Sequence, residues 1–335
     1  MCIGRFSGLI LQCKSVDLKS ILKNTILQYL FLSIMVAMTL MIIIAPQIDI
    51  IRNASRYLVH IMLGFFGLGF LFLILDKRKL IFTCFGLSAM LCVFLKDQSN
   101  MDLVSPLLSK NPKIEIININ LGNAEDGLGL LDVINNHQAD IWSFQELTPD
   151  WADIISKALE TRFPYKFIQV RIDPYGKAIY SKFPIKGIDT IIFENHYDVG
   201  ADILVEDKPF HIVSSYLIPA LNKTSLSKAR RQLSLLSDNV ASHRERCLVF
   251  GEFNMVYWDE EIIRFRTKNS LNNSRKDIMP TTLRVPFDHI FYSEDLNCIQ
   301  FKDVISSGGT KYGSSGTYQI KTLGPAKDSS HMNQN

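Results

Sequence analysis

The stretch Leu248-Val249-Phe250-Gly251-Glu252-Phe253-Asn254 joins an apolar run to a polar turn. Its first three residues suit a buried strand, and the glycine turn delivers a carboxylate and a carboxamide at the carboxyl end of that strand, where α/β sheets bind their ligands. Glu252 and Asn254 are two residues apart, so an extended chain places both on one face, where they can bind a hard cation and orient a phosphate oxygen. Taken alone, the stretch is better explained as a core strand that ends in a polar turn.

Five other stretches carry related features and occur in a fixed order. They are Ile116 to Asn123, Asp140 to Leu147, Tyr175 to Ile185, His211 to Pro219 and Phe287 to Ser293. Together with the first stretch, this series resembles the endonuclease/exonuclease/phosphatase family, the metal-dependent phosphoesterases related to DNase I, sphingomyelinases and inositol phosphatases. The resemblance covers roughly residues 113 to 323. It is specific because six short motifs in the right order and spacing seldom arise by accident.

The resemblance implies an α/β fold, namely a four-layered α/β/β/α sandwich, and phosphoester hydrolysis with Mg²⁺ or Mn²⁺ as cofactor. The hydrophobic spacing of the chain agrees with alternating strands and helices. Strands are predicted at residues 113–119, 141–144, 165–170, 178–181 and 210–216, and helices at 128–137, 151–159 and 226–241.

The hydrophobic share of the composition, 47%, is high for a soluble protein. The surplus lies in three apolar runs, at about residues 26–44, 58–75 and 80–95. A membrane-spanning helix needs about 20 apolar residues, so the first two runs are long enough and the third requires a thin bilayer or a tilted fit. We therefore predict a three-helix membrane region within residues 1–96. A cleaved signal peptide is the alternative for the first run, but no small-residue cleavage site follows it and two more apolar segments come next.

The charges of the flanking segments predict how the spans are oriented. Basic residues concentrate before the first run, at Arg5, Lys14, Lys19 and Lys23, and between the second and third, at Lys77, Arg78 and Lys79; the opposite loops carry Arg52, Arg56 and Lys96. By the positive-inside rule the amino terminus is cytoplasmic and the large domain is extracytoplasmic. In a bacterium that domain would be periplasmic or at the cell surface.

The net charge of +3 does not describe the large domain. Residues 97–323 contain about 25 basic and about 29 acidic side chains, so the positive excess belongs to the membrane region. Two short basic clusters, at 228–231 and 264–268, are typical of solvated helix faces. The composition therefore argues against nucleic acid as a partner without excluding it, and it leaves a membrane headgroup or another phosphorylated or anionic ligand as the expected one.

The remaining boundaries follow from composition. Residues 97–112 are polar and contain Pro106 and Pro112, which predicts a linker before the domain at 113–323. Residues 324–335 are predicted to be a disordered tail. Cys247 and Cys298 lie in the domain, and the sequence leaves open whether they are bridged or are two buried free thiols.

The resemblance assigns roles to residues that match the family's motifs. Glu146 matches the principal magnesium ligand, and Asn118 matches a residue that assists at the metal or the phosphate. Asn254 matches the asparagine that binds the scissile phosphate, and Asp288 matches the aspartate that orients a catalytic histidine. Each residue alone would be explained as a strand-end cap or turn residue, but four independent matches are poorly explained in that way.

Several positions depart from the family's pattern. Glu252 stands in place of the water-activating aspartate and is one methylene longer, and Tyr216 stands in place of a histidine. In the closing motif we align Ser315 and Gly316 with the family's aspartate and catalytic histidine, so both groups are missing. Asp288 would then have no histidine to orient.

Two histidines lie near these positions in the sequence, but strand parity argues against both. His289 adjoins Asp288 and therefore points to the opposite face of its strand. His211 is likewise an odd number of positions from Tyr216, so the two side chains point to opposite faces. Loss of one positioned acid or base costs about 10² to 10⁴ in rate. The residues therefore favour a membrane-anchored pseudoenzyme that keeps a partial metal and phosphate pocket. The alternative is an active phosphoesterase with an unorthodox site, in which Glu252 activates water.

Overall fold

The computed structural model describes residues 24–44, 48–102, 106, 109–243, 245–278 and 283–321. Several features named from the sequence lie outside the described residues. They are the basic residues before the first apolar run, the domain boundary at Leu323, the tail at 324–335, and Cys2 and Cys13.

The described part of the amino-terminal region contains four helices. They are α1 (Thr25–Ile44), α2 (Asp49–Ser55), α3 (Leu58–Ile74) and α4 (Arg78–Gln98). Two of them, α1 and α4, are long and apolar enough to cross a membrane, and a third span results if α2 and α3, which meet at a 69° bend, are counted as one. The three predicted runs therefore coincide with helices, while the second is long enough only together with the short helix before it.

Within the described residues, the large domain contains twelve strands and four longer helices. Along the chain these are β1 (Lys113–Asn120), α5 (Gly127–Asn136), β2 (Ile141–Gln145), α6 (Pro149–Leu159), β3 (Tyr165–Gln169), β4 (Lys177–Ser181), β5 (Ile185–Phe193), β6 (His196–Val205), β7 (Lys208–Tyr216), α7 (Lys223–Ser242), β8 (Cys247–Glu252), α8 (Glu260–Lys268), β9 (Leu271–Asn273), β10 (Asp288–Ser293), β11 (Leu296–Ile305) and β12 (Lys311–Ile320). They form two six-stranded sheets, ordered β11-β12-β1-β2-β4-β3 and β5-β6-β7-β8-β10-β9.

The two sheets pack face to face and a pair of helices covers each outer surface. One apolar cluster lies between the sheets and includes Ile116, Ile212 and Phe250. A second cluster joins the first sheet to α5 and α6, and a third joins the other sheet to α7 and α8. Since successive residues of a strand point to opposite faces, a strand buried on both sides reads as a continuous apolar run. The predicted four-layered α/β/β/α sandwich is confirmed.

Each sheet has one parallel pair near its centre. β1 lies parallel to β2 in the first sheet, and β7 lies parallel to β8 in the second. All four strands end at the same edge of the sandwich, because Gln145 at the end of β2 bonds to Ser215 near the end of β7 and to Glu252 at the end of β8. Ser143 of β2 also bonds through its hydroxyl to Ser214 of β7, at 3.1 Å. The carboxyl ends of four central strands therefore meet at one place.

Gln145, the last residue of β2, joins the two sheets at that place. Its Nε2 donates to the carbonyl of Ser215 at 2.5 Å, and its Oε1 accepts from the backbone N–H of Glu252 at 2.8 Å. Gly251 is required beside it: its φ is +144°, and a Cβ there would collide with the Ser215 carbonyl.

The amino-terminal helices contact the domain directly. An apolar cluster brings together Leu58, Val59 and Leu91 of α3 and α4 with Tyr257 and Trp258 of the domain, among others. The indole N–H of Trp258 donates to the carbonyl of Ser55 at 2.8 Å.

The segment predicted as a linker is tied down at several points. The backbone N–H of Asn100 donates to Arg275, its side-chain amide donates to Tyr292, and Asn111 donates to Ile320. The described part of residues 97–112 is therefore attached to the domain surface.

The two cysteines of the domain are free and buried. Cys298 faces the cluster between the sheets, while Cys247 faces the cluster beneath α7. Of the two states that the sequence left open, the structure has the unbridged one.

We expect Gln145→Met to lower the free energy of unfolding by about 3 kcal/mol, since it leaves the Glu252 N–H and the Ser215 carbonyl unpaired between two sheets. The measurement is denaturant unfolding of the full chain in detergent micelles, followed by tryptophan fluorescence. Gln300→Met, at an exposed position of β11, is the matched control and should change stability by less than about 0.5 kcal/mol. Equal effects of the two substitutions would contradict the bridging role of Gln145.

Candidate active site

Polar side chains converge where the central strands of both sheets end. Glu252 is paired with Tyr216 of the parallel strand β7 and with Asp288 of the antiparallel strand β10. In the facing sheet, β1 ends at Asn120 and β2 ends just before Glu146.

Glu146 leaves β2 with φ at +58°, a conformation that few non-glycine residues adopt. Two hydrogen bonds position its carboxylate. Tyr216 Oη donates to Glu146 Oε1 at 3.0 Å, and Asn120 Nδ2 donates to the same oxygen at 3.1 Å. Gly122 leaves the space for the carboxylate, because a Cβ at that residue would collide with Oε2. Strain of this kind, held by specific bonds, is typical of functional sites.

Glu252 lies on the other side of the Asn120 side-chain amide from Glu146. Its Oε2 is 3.5 Å from Asn120 Nδ2. Burial raises the pKa of the Glu252 carboxyl to about 7, and the negative charge of Asp288 adds to that rise, while Asn120 and Lys311 oppose it. The group can therefore bind or release a proton near neutral pH.

Asn254 and Tyr216 form the adjoining part of the site. Asn254 also has a positive φ, of +53°, and its Nδ2 donates to the carbonyl of Leu217 at 2.7 Å. Burial, followed by the charge of Glu146, raises the pKa of the Tyr216 hydroxyl. Tyr216 therefore stays protonated and acts as a hydrogen-bond donor to Glu146.

Asp288 has a partner that the sequence analysis did not identify. Lys311 Nζ donates to Asp288 Oδ1 at 2.6 Å and lies 3.0 Å from Asp303 Oδ1. Arg275 completes the group, with Nη2 at 2.9 Å from Asp303 Oδ1 and 3.9 Å from Asp288 Oδ2. All four side chains are buried. Burial alone would raise the pKa of Asp288, but Lys311 and Arg275 outweigh it and lower that pKa below its ordinary value.

A cavity of about 230 Å³ opens beside these residues. Its lining combines acidic, basic and amide groups with two apolar side chains: Asn120, Asn123, Glu252, Arg284, Val285, Phe287, Asp288, Lys311, Tyr312 and Gly313. A water molecule occupies about 30 Å³ in the liquid, so the cavity has room for a phosphate group and several waters.

Comparison with known proteins identifies the family. The model of the endonuclease/exonuclease/phosphatase family matches residues 117–315, more than half of the chain. The chain belongs to this family. A search of the curated proteins found no match.

Solved structures share the fold with the family domain. The endonuclease/exonuclease/phosphatase from Beutenbergia cavernae has 10% identity and a TM-score of 0.52, with 62% of this chain and 72% of that chain covered. D. rerio TDP2, complexed with a single-strand DNA product, has 15% identity and a TM-score of 0.51, with 62% and 99% covered. The human Nocturnin catalytic domain, with a bound sulfate anion, has 16% identity and a TM-score of 0.51, with 65% and 97% covered. At these identities the likeness concerns the fold alone.

The structure places four of the residues singled out from the family motifs at the site: Glu146, Tyr216, Glu252 and Asp288 line it or bond across it. Asn254 lies next to Tyr216. Their individual roles remain predictions.

Asn118 is not beside Glu146. It lies two residues earlier in β1, fully buried, and neither of its side-chain polar atoms has a hydrogen-bond partner among the described residues. Asn120 is on the same face of the strand and bonds to Glu146 instead. Both asparagines fit the family's motif by their spacing in the sequence. Which of them contacts Glu146 depends on how deep the Glu146 carboxylate lies between the sheets. Asn120 therefore replaces Asn118 as the candidate ligand.

The alignment of the closing motif with Ser315 and Gly316 was wrong. Both residues lie in the middle of β12, paired with Ile117 and Ile116, away from the strand ends. A Cβ at Gly316 would collide with the hydroxyl of Tyr318, so no histidine fits there. The residue of β12 that reaches Asp288 is Lys311, the first of the strand. The turn Ser307-Gly308-Gly309-Thr310 just before it was the available sequence signal for a strand start.

The two rejected histidines point away from the site, as strand parity predicted. His289 Nε2 bonds to the carbonyl of Met255 at 2.8 Å, and burial lowers the pKa of its ring to about 3. His211 bonds to Asp202 and Asn239 on the outer face, beneath α7.

Members of the family generally depend on a divalent metal, and the residues present fit such an ion. Carboxylate oxygens of Glu146 and Glu252 both approach the single nitrogen of Asn120, at 3.1 and 3.5 Å. Mg²⁺ and Mn²⁺ prefer oxygen ligands, and two neighbouring carboxylates supply such ligands. Glu146, with Asn120 and Glu252 beside it, would bind the ion.

We expect Glu252→Gln to stabilise the metal-free protein at about pH 8. The folded-state pKa of about 7 lies above the ordinary value of 4.5, so the wild type loses stability as pH rises between these values, by up to about 3 kcal/mol. Glutamine avoids that loss, and the difference between the variants should nearly vanish at about pH 4.

The measurement is denaturant unfolding in micelles with a chelator present. Glu294→Gln, at an exposed position in the turn after β10, is the matched control. A Glu252→Gln variant that is less stable than the wild type at the higher pH would contradict the raised pKa.

Proposed function

We propose that this chain is a divalent-metal-dependent phosphoester hydrolase in which Lys311, positioned by Asp288, takes the place of the family's catalytic histidine. The sequence favoured a pseudoenzyme because Asp288 had nothing to orient. The 2.6 Å contact between Lys311 Nζ and Asp288 Oδ1, in the wall of the cavity, is the observation that carries the proposal.

Lys311 would stabilise the negative charge that develops on the phosphate. Its ammonium group carries three donors and lies in the cavity wall, where Asp288 and Asp303 accept from it. A fixed cation that needs no reorganisation during the reaction is the kind of group that lowers such a barrier most. A metal ion bound at Glu146 would neutralise the non-bridging phosphate oxygens.

Glu252 would accept the proton of the attacking water. Its carboxylate lies in the cavity wall, within reach of a water molecule in the cavity. Its extra methylene moves the carboxylate further from the strand than an aspartate would reach, and the cavity lies in that direction. Tyr216 is a positioning residue, since its hydroxyl donates to Glu146 and remains protonated.

We expect wild-type protein to hydrolyse bis(4-nitrophenyl) phosphate with Mg²⁺ or Mn²⁺, and Lys311→Met to lower kcat by about 10² to 10³. Lys311→Arg keeps the charge with a different geometry and should retain part of the activity. Lys302→Met, at an exposed position of the neighbouring strand β11, is the control and should leave kcat unchanged.

Two outcomes would overturn the proposal. A Lys311→Met protein that folds, by circular dichroism, and keeps kcat within about two-fold would remove Lys311 from the mechanism. A wild type with no metal-dependent turnover, at any metal concentration, would favour the pseudoenzyme.

We expect Mg²⁺ to raise the thermal midpoint of unfolding, because an ion that binds only the folded state stabilises it, by about 2.7 kcal/mol at 100 times its Kd. Glu146→Ala should abolish the shift. Glu160→Ala, which removes an exposed carboxylate after α6, should not. A shift that persists in Glu146→Ala would place the metal elsewhere.

We infer that the helices anchor the domain outside the cytoplasm. The ends of α3 and α4 that contact the domain lie opposite the basic loop Lys77-Arg78-Lys79, and the positive-inside rule assigns such a loop to the cytoplasm. A carboxyl-terminal reporter that matures only in the cytoplasm should be inactive when fused after Leu323, whereas a periplasmic reporter should be active. The reverse pattern would overturn the orientation.

A further inference from the structure

Two histidines meet on the outer face of the second sheet, away from the catalytic cavity. His211 of β7 is buried, and His243, the residue that follows α7, is partly exposed. Their rings stack, with centroids 3.8 Å apart and planes at 5°. Asp189 of the edge strand β5 lies beside them, with Oδ2 3.8 Å from His243 Nε2. One ligand atom from each of the three residues lies within 4.8 Å of the other two, so three elements bring metal-binding groups together.

Hydrogen bonds determine which nitrogen of His243 carries a proton. Nδ1 lies 3.1 Å from the carbonyl oxygen of Asn239 and 3.0 Å from Oγ of Ser242, whose hydroxyl donates to the same carbonyl. Both oxygens accept from a ring N–H, so Nδ1 carries the proton of the neutral ring. Nε2 therefore keeps its lone pair, and this is the atom that lies near Asp189.

A carboxylate holds His211 in the matching form. Nδ1 lies 2.8 Å from Asp202 Oδ1, and Nε2 lies 3.0 Å from the side-chain oxygen of Asn239. A neutral ring has one N–H and the carboxylate is the stronger acceptor, so Nε2 meets the amide oxygen with a lone pair. Two acceptors in contact call for a cation beside them. A histidine that donates one N–H to a carboxylate and offers its other nitrogen is the usual form of a metal ligand.

The strand between the ligands leaves room for an ion. Gly200 of β6 is paired with Asp189 of β5. A Cβ at Gly200 would lie 3.2 Å from His211 Nε2 and 3.4 Å from the Cβ of Asp189. Any larger residue there would therefore crowd the ring nitrogen that is available to an ion.

The charges of the group also favour a cation. Asp189 and Asp202 contribute two carboxylates, and their ion pairs within the described part of the chain are with the two histidines, not with lysine or arginine. The carboxyl end of α7 adds the negative end of a helix dipole. Two protonated rings stacked at this distance would repel each other, so the histidines do not supply two positive charges. A divalent ion would balance the two carboxylates.

The ligand types select a different metal from the one expected at the active site. Imidazole nitrogens suit Zn²⁺, whereas Mg²⁺ prefers an all-oxygen site. Zinc bonds of about 2.0 to 2.2 Å in a tetrahedron separate the ligand atoms by about 3.4 Å. The distances from His243 Nε2 to Asp189 Oδ2, 3.8 Å, and from His211 Nε2 to Asn239 Oδ1, 3.0 Å, are close to that separation.

One small movement completes the site. The stacked rings are parallel, so both Nε2 lone pairs cannot point at one ion. The His243 side chain is 29% exposed, and the terminal torsion of a histidine is broad, so this ring can turn without disturbing the core. Its Nδ1 has two oxygen acceptors within reach and keeps a partner during the turn.

We propose that His211, His243 and Asp189 bind a Zn²⁺ ion, with the side-chain oxygen of Asn239 in place for the fourth ligand and Asp202 orienting His211. The ion would join the end of α7 to β5 and β7 and stabilise the outer face of the domain. The inference does not depend on the hydrolase function, since it uses none of the residues that line the cavity.

The test uses the full chain without a histidine tag, in detergent micelles with millimolar Mg²⁺ throughout. Thermal unfolding and calorimetric titration are measured with Zn²⁺. We expect Zn²⁺ to raise the midpoint of unfolding in the wild type and equally in Glu146→Ala, because the ion binds the folded state. Asp202→Asn should raise the Kd for Zn²⁺ about 10- to 100-fold, as loss of an orienting partner does, and His243→Ala should raise it at least about 100-fold.

His137→Ala is the matched control. His137 follows α5 as His243 follows α7, and its Nδ1 lies 3.0 Å from the carbonyl oxygen four residues earlier, that of Val133. The substitution removes the same contact at a helix end and should change the Kd for Zn²⁺ by less than about two-fold. Asp189→Asn, at an exposed position, removes a ligand without touching α7 and should raise the Kd at least about ten-fold.

Three results would contradict the site. Zn²⁺ binding that is lost in Glu146→Ala and kept in His243→Ala would place the ion in the catalytic cavity. Equal changes of the Kd in His137→Ala and His243→Ala would reduce His243 to a helix cap. A wild type whose unfolding does not respond to Zn²⁺ would leave His211 as a protonated ring between two oxygens.

Discussion

The position of the site depends on the contact that Gln145 makes between the two sheets. Its amide accepts from the Glu252 N–H and donates to the Ser215 carbonyl, so one side chain satisfies backbone groups at the ends of β7 and β8. An unpaired polar group in that place would cost about 1 to 3 kcal/mol, which makes the register of the facing strands difficult to change. Glu146 follows immediately with a positive φ, so its carboxylate turns into the space between the sheets and meets Tyr216.

Charge balance explains how the domain folds without the histidine of its family. Two acidic and two basic side chains, Asp288, Asp303, Arg275 and Lys311, are buried together within hydrogen-bonding or ion-pair distance. Removing one member of such a group leaves an uncompensated charge and costs about 3 to 5 kcal/mol, so the group persists or changes only as a whole. One member of this group, Lys311, also lines the cavity. Under the proposed function, the cation of the site would be supplied by Lys311 in place of a histidine.

The helices determine how the cavity is approached. Val285 and Phe287 line the cavity and also pack against the apolar cluster that joins the helices to the domain. Trp258 and Arg56 add hydrogen bonds to backbone carbonyls across the same boundary. A flexible tether would leave the domain free to turn, whereas these contacts give the cavity one fixed orientation relative to the helices.

The sequence by itself determined the family, the layered sandwich, the apolar helices and the strand-end residues Glu146, Tyr216 and Asp288, because each of these follows from a local pattern. It gave no indication of β5, an edge strand in which buried and exposed residues mix without a continuous apolar run. Only the tertiary structure showed that Asn120, and not Asn118, contacts Glu146, since both asparagines lie on one face and the contact depends on where Glu146 lies after the end of β2. It also decided the contact between Lys311 and Asp288 and the packing of Val285 and Phe287 against the apolar cluster of the helices. A lysine at a strand start has no local signal, and Trp258 meets Ser55 across 203 positions of the chain, so these features depend on packing that no short-range periodicity records.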